Sequence, residues 1–492
     1  MTTTPEYTIV IGLETHVQLL TETKLFCRCS NRFGQPPNTQ TCPVCIGMPG
    51  SLPVMNRKAF QLALKTATAL NCHIPEFTKW DRKNYYYPDL PKGYQISQFD
   101  LPMSQQGWLE ISDPRGEFAR KKVRIIRAHL EEDAGKSMHD EAAGRSDSRI
   151  DLNRTGTPLL EIVTEPDLRS PEETRRYLDE LKLLLAYLKV SDCNMQEGSL
   201  RVDANINLHL PAADGGTIAT PIVEVKNMNS FRAVERALAY EAQRQFKVWQ
   251  ETGHKLGDVP KQTRGWDEQE QLTRPQRSKE ESSDYRYLPD PDLVPIEVTA
   301  EQVQTVRDSL GELPAAIRDR LQSTYGISPY DSDVIVNQGR DVVNYYVALA
   351  ECCSDGKLAS NWVQQSVLRT LNEQGVSIDQ FGVSAQSLGE LLQAVQSGDV
   401  DNTRARDVFV EMLDSGVTAE AAMAGLGIEK VDAAAETELA RELLADHPNV
   451  VSDVQGGKQQ AIGKLIGEAK KRNPNINPGQ FRQLCIDLIA EM

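Results

Sequence analysis

Apolar and polar residues alternate near the start of the chain, which predicts a β-strand over residues 7–20. Successive side chains of a strand point to opposite faces, so Leu13 and Val17 fall on one side and Glu14 and His16 on the other. A carboxylate and an imidazole therefore share one face. This pair is either the outward polar face of a half-buried sheet or the start of a metal or catalytic site.

A second β-branched run, residues 123–136, ends in three consecutive acids, Glu131, Glu132 and Asp133. Neighbouring carboxylates repel one another unless a cation or basic groups lie among them. An oxygen-ligated ion such as Mg²⁺ is one candidate for that cation. A solvated acidic turn that leads to Gly135 explains the same residues equally well.

Further elements follow in the first half of the chain. Ser170 and Pro171 have the form of a helix N-cap and first turn, and a second helix is predicted from Ser230 until Gly253. Residues 200–208 alternate as a strand with one polar face, which is consistent with the floor of a site. That face carries Arg201, Asp203, Asn205 and Asn207.

The second half of the chain has a different texture. Residues 257–284 are polar and rich in charge, which predicts a surface excursion. From about Thr299 onward, helical spacing replaces strand alternation. We therefore predict an α+β domain at residues 1–295, an all-α domain at 296–400 and a small all-α tail domain at 401–492.

Charge and cysteine content narrow the functional classes. The formal net charge of −16 over 492 residues argues against a protein coated with basic residues for nucleic acid, so any such contact must be local. Nine cysteines, an odd number, predict a reducing compartment in which clustered thiols indicate metal binding or catalysis. Residues 1–5 lack the form of a targeting signal, and no apolar run reaches the ~18 residues of a membrane span.

Four cysteines lie close together in the sequence. Cys27 and Cys29 form a C-x-C pair, and Cys42 and Cys45 form a C-x-x-C pair after an intervening loop. Two such pairs can surround one tetrahedral ion, and four thiolates leave no open coordination position. We therefore predict a structural Zn²⁺ in a knuckle over residues 27–45.

A loop rich in proline and tyrosine occupies residues 81–98 and contains Lys83 and Lys92. Its cations and rings could hold phosphate and stack on a base or ribose, or the loop could simply pack over the sheet. The P-loop pattern G-x-x-x-x-G-K-[ST] does not occur in the sequence. Any ATP site must therefore be of another kind.

Longer motifs between residues 7 and 295 carry a resemblance to a known family. They are Ile11–His16, Asp81–Asp89, Tyr94–Gln98, His129–Lys136, Asp151–Glu161, Glu197–Asn205, Glu224–Phe231 and Asp284–Asp292. In content and order they resemble the motifs of the B subunit of the tRNA-dependent aspartyl/glutamyl amidotransferases, the GatB/GatE family. The resemblance implies a cradle-shaped catalytic domain on a mainly antiparallel sheet, followed by a helical domain and a tail that touches tRNA.

The resemblance also implies a reaction and its partners. ATP would phosphorylate the side-chain carboxylate of glutamate or aspartate mischarged on tRNA(Gln) or tRNA(Asn), and ammonia would displace the phosphate. Activation is needed because the leaving group of a bare carboxylate would be oxide. In the family, the amidase (A) subunit supplies the ammonia from glutamine through a channel. A small C subunit is the third member of the cytoplasmic heterotrimer.

Site residues follow from the resemblance as well. It places Mg²⁺ at Glu14, His16 and the Glu131/Glu132 pair, with Lys83 as a further catalytic residue. Candidate ligands of ATP or of the substrate carboxylate are Lys92, Arg154, Arg201, Asp203 and Lys226. Taken singly, each basic residue fits an ordinary salt bridge better than a ligand contact.

One basic run lies in the tail, where Lys464, Lys470, Lys471 and Arg472 belong to a predicted amphipathic helix. Cations in a last turn complement the helix dipole without any ligand. The family resemblance favours contact with tRNA. Two other functions stay open: a zinc-stabilised tRNA-binding module without its own chemistry, and a free-standing ligase that makes amides from free amino acids.

Overall fold

The computed structural model describes residues 7–139, 148–276, 284–428 and 433–491. The chain divides into two compact units, Met1–Ala316 and Ile317–Met492. The first combines a large sheet with helices, and the second is helical. This confirms the predicted α+β fold followed by all-α parts, whereas the division into three domains stays a prediction. Residues 1–5, expected to carry no targeting signal, lie outside the described part.

The first unit contains the described strands. In chain order they are β1 Thr8–Gln18, β2 Phe77–Thr78, β3 Asp81–Asn84, β4 Tyr94–Ser97, β5 Gln105–Ile111, β6 Lys121–Glu132, β7 Lys136–His139, β8 Ser148–Asp151, β9 Pro158–Thr164, β10 Leu200–Pro211, β11 Thr217–Ala219, β12 Val223–Lys226, β13 Gln262–Asp267, β14 Leu272–Pro275, β15 Leu288–Pro289 and β16 Ile296–Glu297.

Nine of these strands form one sheet in the order β14-β13-β12-β10-β1-β9-β6-β5, with β11 added to β10. All neighbours in it are antiparallel except β12 and β13. Strand β1 is central and pairs with β10 and β9. Strands β15, β3 and β4 form a separate small sheet.

Helices cover one face of the large sheet. The helices of this unit are α1 Arg57–Ala69, α2 Pro171–Tyr187, α3 Phe231–Thr252 and α4 Ala300–Ser309. Helix α1 contacts β6, α2 contacts β5 and α3 contacts β10. Leu13 and Val17 of β1 belong to the same buried cluster as Leu181 of α2. This apolar core lies under one side of β1, so the alternate side chains of the strand point to the other face.

The predicted helix ends are confirmed. The Ser170 hydroxyl accepts a hydrogen bond from the Glu173 amide at the start of α2, and Ser230 caps α3 in the same way. Helix α3 ends at Gly253, whose φ of 66° is the left-handed conformation that glycine adopts without a Cβ penalty.

Residues 257–284 differ from the prediction of a surface excursion. Part of this segment forms β13 and β14 at the edge of the large sheet, and Trp266 is buried there. Edge strands of natural sheets carry many charged residues, which oppose pairing with other chains, so the charged sequence concealed the strands. Residues 277–283 lie outside the described part.

From Pro314 onward the described chain is helical. The helices are α5 Pro314–Tyr325, α6 Pro329–Val336, α7 Arg340–Cys353, α8 Gly356–Trp362, α9 Leu368–Gln374, α10 Ala385–Gln396, α11 Asn402–Ser415, α12 Ala419–Gly425, α13 Ala433–Asp446, α14 Pro448–Gln455, α15 Ile462–Arg472 and α16 Pro478–Ala490. A π-helical turn, Val363–Val367, joins α8 to α9, and Ile378–Gln380 and Gln459–Ala461 are short 3₁₀ helices. Helices α13 to α16 share their own apolar core, which includes Leu443, Leu465 and Phe481. Among the described residues, no helix is both long enough and apolar enough to cross a membrane.

Candidate functional site

Strand register aligns polar residues across the face of the sheet that the apolar core leaves free. Glu14 of β1 lies opposite Asp203 of β10, and His16 lies opposite Glu161 of β9. Glu161 in turn lies opposite His129 of β6. Because directly opposed residues of a sheet point to the same face, these side chains meet although they come from four segments of the sequence.

The distances show one compact group, which we call the carboxylate–histidine cluster: Glu14, His16, His129, Glu131 and Glu161. The Nε2 atom of His16 lies 3.4 Å from Oε1 of Glu131, 3.4 Å from Oε2 of Glu161 and 4.0 Å from Oε1 of Glu14. His129 Nε2 lies 3.6 Å from Oε2 of Glu161. Two sets of ligand atoms, Glu14/His16/Glu161 and His129/Glu131/Glu161, each fall within 4.8 Å.

Burial and neighbouring charges together set the pKa values of this cluster. Burial raises the pKa of Glu131 to about 7, and the neighbouring charge of Glu161 adds to the shift. Burial lowers the pKa of His129 to about 4. Burial alone would also lower the pKa of His16, but its hydrogen bond to Glu161 and the charges of Glu131 and Glu161 outweigh it, and the pKa is raised to about 9.

The donor set fits a divalent cation. Glu131 and Glu161 are buried carboxylates whose mutual repulsion a cation would relieve. The Nδ1 atom of His129 is buried and has no hydrogen-bond partner among the described residues. Carboxylate oxygens with an imidazole are suitable ligands for Mg²⁺ or a similar ion.

Lys83 brings positive charge to the cluster from β3. Its ammonium lies 5.0 Å from the ring centre of Tyr285 and 6.0 Å from that of Tyr85. Burial would lower the pKa of Lys83, but the charge of Glu131 and the smaller influence of Glu161 outweigh burial and raise it. The lysine is therefore held protonated beside the carboxylates.

Glu132, predicted as a ligand together with Glu131, does not lie in the cluster. Adjacent residues of β6 point to opposite faces, so only Glu131 reaches His16. Glu132 forms a buried ion pair with Lys92 and accepts a hydrogen bond of 2.9 Å from the Ile96 amide of β4. Lys92, predicted to bind ATP or the substrate carboxylate, is thus occupied by Glu132.

The other predicted cations lie around the cluster in ion pairs. Arg201 lies 3.0 Å from Asp133, and Arg154 lies 3.3 Å from the same carboxylate. Lys226 lies 2.5 Å from Asp203, which is opposite Glu14 in the register. The sheet therefore brings these predicted residues together on the same side as the cluster.

A cavity of about 590 Å³ adjoins these cations. Its lining includes the cations Lys136, Arg154 and Arg201 and the carboxylates of Asp151, Glu197 and Asp203. The loop between the two cysteine pairs lines another part of it and includes Phe33. None of the five cluster residues lines the cavity, but two of its lining residues, Arg201 and Asp203, lie opposite His16 and Glu14 in the strand register.

The four cysteines converge as predicted. Cys27, Cys29, Cys42 and Cys45 can each place a sulfur within 4.8 Å of the others. The sulfurs of Cys42 and Cys45 are 3.9 Å apart, close to the ~3.8 Å that tetrahedral Zn–S bonds of about 2.3 Å require. The group can therefore hold one metal ion, in line with a structural zinc.

A buried lysine supports this cysteine group. Lys24 is fully buried, with its ammonium 3.6 Å from the sulfur of Cys45 and 2.7 Å from the carbonyl oxygen of Gln40. The hydrogen bond to Cys27 is the main reason that the pKa of Cys45 is lowered to about 4, and the charge of Lys24 contributes. Thiolates are the form that binds metal.

The basic run of the tail divides into two kinds of residue. Lys470 is paired with Asp401 at 2.7 Å, and Arg472 with Glu442 at 3.1 Å. Lys464 and Lys471 are exposed on the same helix, α15. The helix-dipole interpretation fits all the cations of the last turn, whereas Lys464 and Lys471 are the more accessible to a phosphate.

Comparison with known proteins decides the family. A family model described as the GatB/GatE catalytic domain matches residues 9–304, and one described as the GatB domain matches residues 344–489. The chain belongs to the GatB/GatE family. The resemblance predicted from the motifs is thereby confirmed, and the catalytic-domain match includes the whole carboxylate–histidine cluster.

Curated relatives in the GatB/GatE family extend over almost the whole chain. The B subunit of the aspartyl/glutamyl-tRNA(Asn/Gln) amidotransferase of Rhodopirellula baltica is 60% identical, over 99% of this chain and 97% of its own length. The proteins of the same name from Moorella thermoacetica and Carboxydothermus hydrogenoformans are 46% and 43% identical, over 97% and 99% of this chain and 99% and 100% of their own lengths.

Two members of the carboxylate–histidine cluster, Glu161 and His129, were not predicted as site residues from the sequence. Glu161 stands within the otherwise apolar strand β9, and His129 stands near the end of β6. An ionisable residue inside a buried apolar strand requires a partner or a ligand, and that was the available signal at Glu161. His129 gave a weaker signal, because a lone histidine is often a packed core residue.

Proposed function

We propose that this chain activates and amidates the side-chain carboxylate of glutamate or aspartate mischarged on tRNA(Gln) or tRNA(Asn), using ATP. The names of the relatives support the substrate class. The observation that carries the chemistry is the carboxylate–histidine cluster, with Lys83 beside it and a cavity of mixed charge that borders it at Arg201 and Asp203. Such a site suits phosphoryl transfer, which depends on positioning and on neutralising negative charge.

Glu14, His16, Glu131 and Glu161 would hold Mg²⁺, and the His16 imidazole would give up its proton to bind the ion. When bound, the ion neutralises charge on the phosphoryl group that is transferred. Lys83 places a second positive charge next to Glu131, and Arg201 and Lys226, which are paired with Asp133 and Asp203, are further cations on the same face of the sheet. These side chains orient the phosphates of ATP against the substrate carboxylate.

The reaction has two balanced steps. A carboxylate oxygen of the aminoacyl group attacks the γ-phosphorus of ATP, and the bond to the bridging oxygen breaks to release ADP. Ammonia then attacks the carbon of the acyl phosphate, the amide forms, and phosphate and a proton leave. The partners of this chain would be an amidase, which supplies the ammonia, and a small third subunit.

Two further sites complete the proposal. Cys27, Cys29, Cys42 and Cys45 would hold one structural Zn²⁺, supported by the convergence of the four sulfurs. The exposed lysines of α15, Lys464 and Lys471, would contact tRNA phosphates, with Lys470 and Arg472 fixing the helix.

The decisive experiment measures ADP release by the assembled complex with mischarged tRNA, uncharged tRNA and free glutamate. The proposal predicts release only with mischarged tRNA, and amide formation with ammonium as well as with glutamine. Release with free glutamate would indicate a free-standing ligase. Binding of tRNA without any ADP release would indicate a binding module without its own chemistry.

A further inference from the structure

Aromatic rings, and not an ion pair, contact the ammonium of Lys83 beside the carboxylate–histidine cluster. The charges of Glu131 and Glu161 act on this ammonium, but it forms neither an ion pair nor a hydrogen bond with any residue in the described part of the chain. Arg201, on the same face of the sheet, is by contrast paired with Asp133 at 3.0 Å. The charge of Lys83 is therefore the more available to a ligand.

Two tyrosine rings face the Lys83 ammonium. The ring centre of Tyr285 lies 5.0 Å from it and that of Tyr85 lies 6.0 Å from it, both within the ~6 Å range of a cation–π interaction. The two rings also meet edge to face, with centres 6.0 Å apart and planes at 70°. A ring face attracts a cation through its quadrupole, so it restrains the ammonium without neutralising its charge.

Hydrogen bonds to β3 fix the segment that carries Tyr285. The Asn84 backbone amide donates to the Tyr285 carbonyl oxygen at 2.9 Å, and the Asn84 side chain donates to the carbonyl oxygens of Tyr285 at 3.2 Å and Arg286 at 2.7 Å. Arg286 has a φ of 43°, which is uncommon for a residue other than glycine and persists where surrounding contacts determine it. Tyr285 is therefore held in place next to Lys83.

The ring of Tyr85 is fixed from the other side. Its hydroxyl donates to the side-chain oxygen of Gln95 at 3.0 Å, and the Gln95 side chain donates to the carbonyl oxygen of Glu132 at 2.7 Å. The sequence left open whether the rings of this loop stack on a base or pack over the sheet. The structure shows that the ring of Tyr85 faces a lysine of the same loop.

We infer that Tyr285 is a positioning residue for Lys83: its ring, together with that of Tyr85, holds the ammonium beside Glu131 and leaves its charge for the phosphoryl group that is transferred. The inference rests on the proposed function, in which Lys83 neutralises charge during that transfer. Lysine carries its charge on a flexible four-carbon stem, and a ring that orders this stem beforehand lowers the entropic cost of reaction.

The test measures ADP release by the assembled complex at saturating ATP and mischarged tRNA. Tyr285→Leu removes the ring and Tyr285→Phe keeps it. A trifluorinated phenylalanine in place of Tyr285 keeps the shape of the ring but withdraws electrons from its face. Tyr86→Leu is the matched control, because Tyr86 belongs to the same loop, is 87% exposed and is not one of the rings that face Lys83. Thermal unfolding of each variant reports whether the fold is intact.

Tyr285→Phe and Tyr86→Leu should release ADP at close to the normal rate. Tyr285→Leu should lower the rate about tenfold, the size of effect expected for one partly buried cation–π interaction. The trifluorinated ring should give a rate between those of Tyr285→Phe and Tyr285→Leu, because its face attracts the ammonium less. Packing alone would not distinguish two rings of nearly the same shape, and this comparison stays valid if Tyr285→Leu does not fold.

Equal rates for Tyr285→Phe and its trifluorinated form would overturn the inference, and so would a normal rate in Tyr285→Leu. A loss in Tyr86→Leu as large as that in Tyr285→Leu would also overturn it, because the effect would not belong to the rings that face Lys83. Failure of the proposed function is a separate result, since the unaltered complex would then release no ADP with mischarged tRNA.

Discussion

At the scale of single residues, Glu131 and Glu132 are chemically identical neighbours in opposite environments. Glu131 faces His16 at 3.4 Å, and burial raises its pKa to about 7, so burial disfavours its charged form. Glu132 is ion-paired with Lys92, and the two side chains are only 1% and 4% exposed. The same substitution should therefore have different consequences at the two positions.

Glu131→Gln should lower tRNA-dependent ADP release about a hundredfold or more, because a ligand of the proposed Mg²⁺ is removed. When a chelator keeps the site free of metal, the free energy of unfolding of Glu131→Gln should not be lower than that of the unaltered chain. The folded pKa of Glu131 is above its ordinary value of 4.5, so its ionisation destabilises the fold as pH rises from 4.5 to about 7, and the glutamine removes that cost. Urea unfolding at several pH values measures this.

Glu132→Gln, by contrast, should reduce the free energy of unfolding by about 3 kcal/mol or more, because it leaves the charge of Lys92 buried without its partner. ADP release per folded molecule should fall less than in Glu131→Gln. Equal loss of activity and equal stability in the two variants would contradict the division of this pair between two faces.

Lys24 allows a second prediction at this scale. Four thiolates around Zn²⁺ carry a net charge of −2, and the fully buried ammonium 3.6 Å from Cys45 offsets part of it. Lys24→Met, which keeps the bulk but not the charge, should lower zinc affinity about 10- to 100-fold, the usual effect of removing an outer-shell partner. Competition with a chelator measures it, and Lys58→Met on the exposed face of α1 is the control. Zinc affinity equal to that of the control would assign Lys24 to packing alone.

At the scale of elements, strand β1 has one face that carries residues of the proposed reaction and one face that packs in the apolar core. Glu14→Ala or His16→Ala should reduce tRNA-dependent ADP release about a hundredfold or more and should not be rescued by free ammonium, because activation is the missing step. Leu13→Ala and Val17→Ala remove side chains that are 1% and 0% exposed. Each should cost roughly 2 to 4 kcal/mol of unfolding free energy. Near-normal ADP release in Glu14→Ala would move the reaction away from this strand.

The sequence predicted reliably those features that depend on a local pattern of residues. The alternation of β1, the capping serine of α2 and the glycine that ends α3 are local signals, and each corresponds to its observed position. The partnership of His16 with Glu161 depends on strand register between distant segments, and no local pattern specifies it. Two other misses have local causes: the grouping of Glu132 with Glu131 overlooked side-chain alternation along β6, and the charged composition of β13 and β14 led to their prediction as a surface segment.

The loop of the knuckle is a second case in which contacts between distant segments determine the position of a side chain. The cysteine spacing predicted the metal group, since two closely spaced cysteine pairs can surround one tetrahedral ion. The sequence did not place Phe33 at the cavity, because that position depends on hydrogen bonds to Ile150 and Asn153, more than a hundred residues away. A local sequence pattern does not identify side chains whose position depends on tertiary contacts.

At the scale of the whole molecule, a net charge of −16 makes the location of any tRNA contact decisive. A chain of this charge repels a polyanion except where cations are concentrated and accessible. In α15 two of the four predicted contacts are engaged, since Lys470 pairs with Asp401 and Arg472 with Glu442. The remaining pair, Lys464 and Lys471, should therefore carry most of the local attraction.

The double variant Lys464→Ala/Lys471→Ala should weaken tRNA binding at low salt and flatten its salt dependence. Removing one phosphate interaction changes the slope of log K against log salt by about 0.7 to 0.9, so removing two should change it by roughly 1.5. Lys470→Ala should leave the slope nearly unchanged, because its ammonium already faces Asp401, and should instead cost up to about 1 kcal/mol of stability. The control Lys58→Ala/Lys255→Ala alters the net charge equally at two exposed lysines of the first unit. If the control flattens the slope as much as the α15 variant, tRNA responds to total charge, and the basic run is only the complement of its helix dipole.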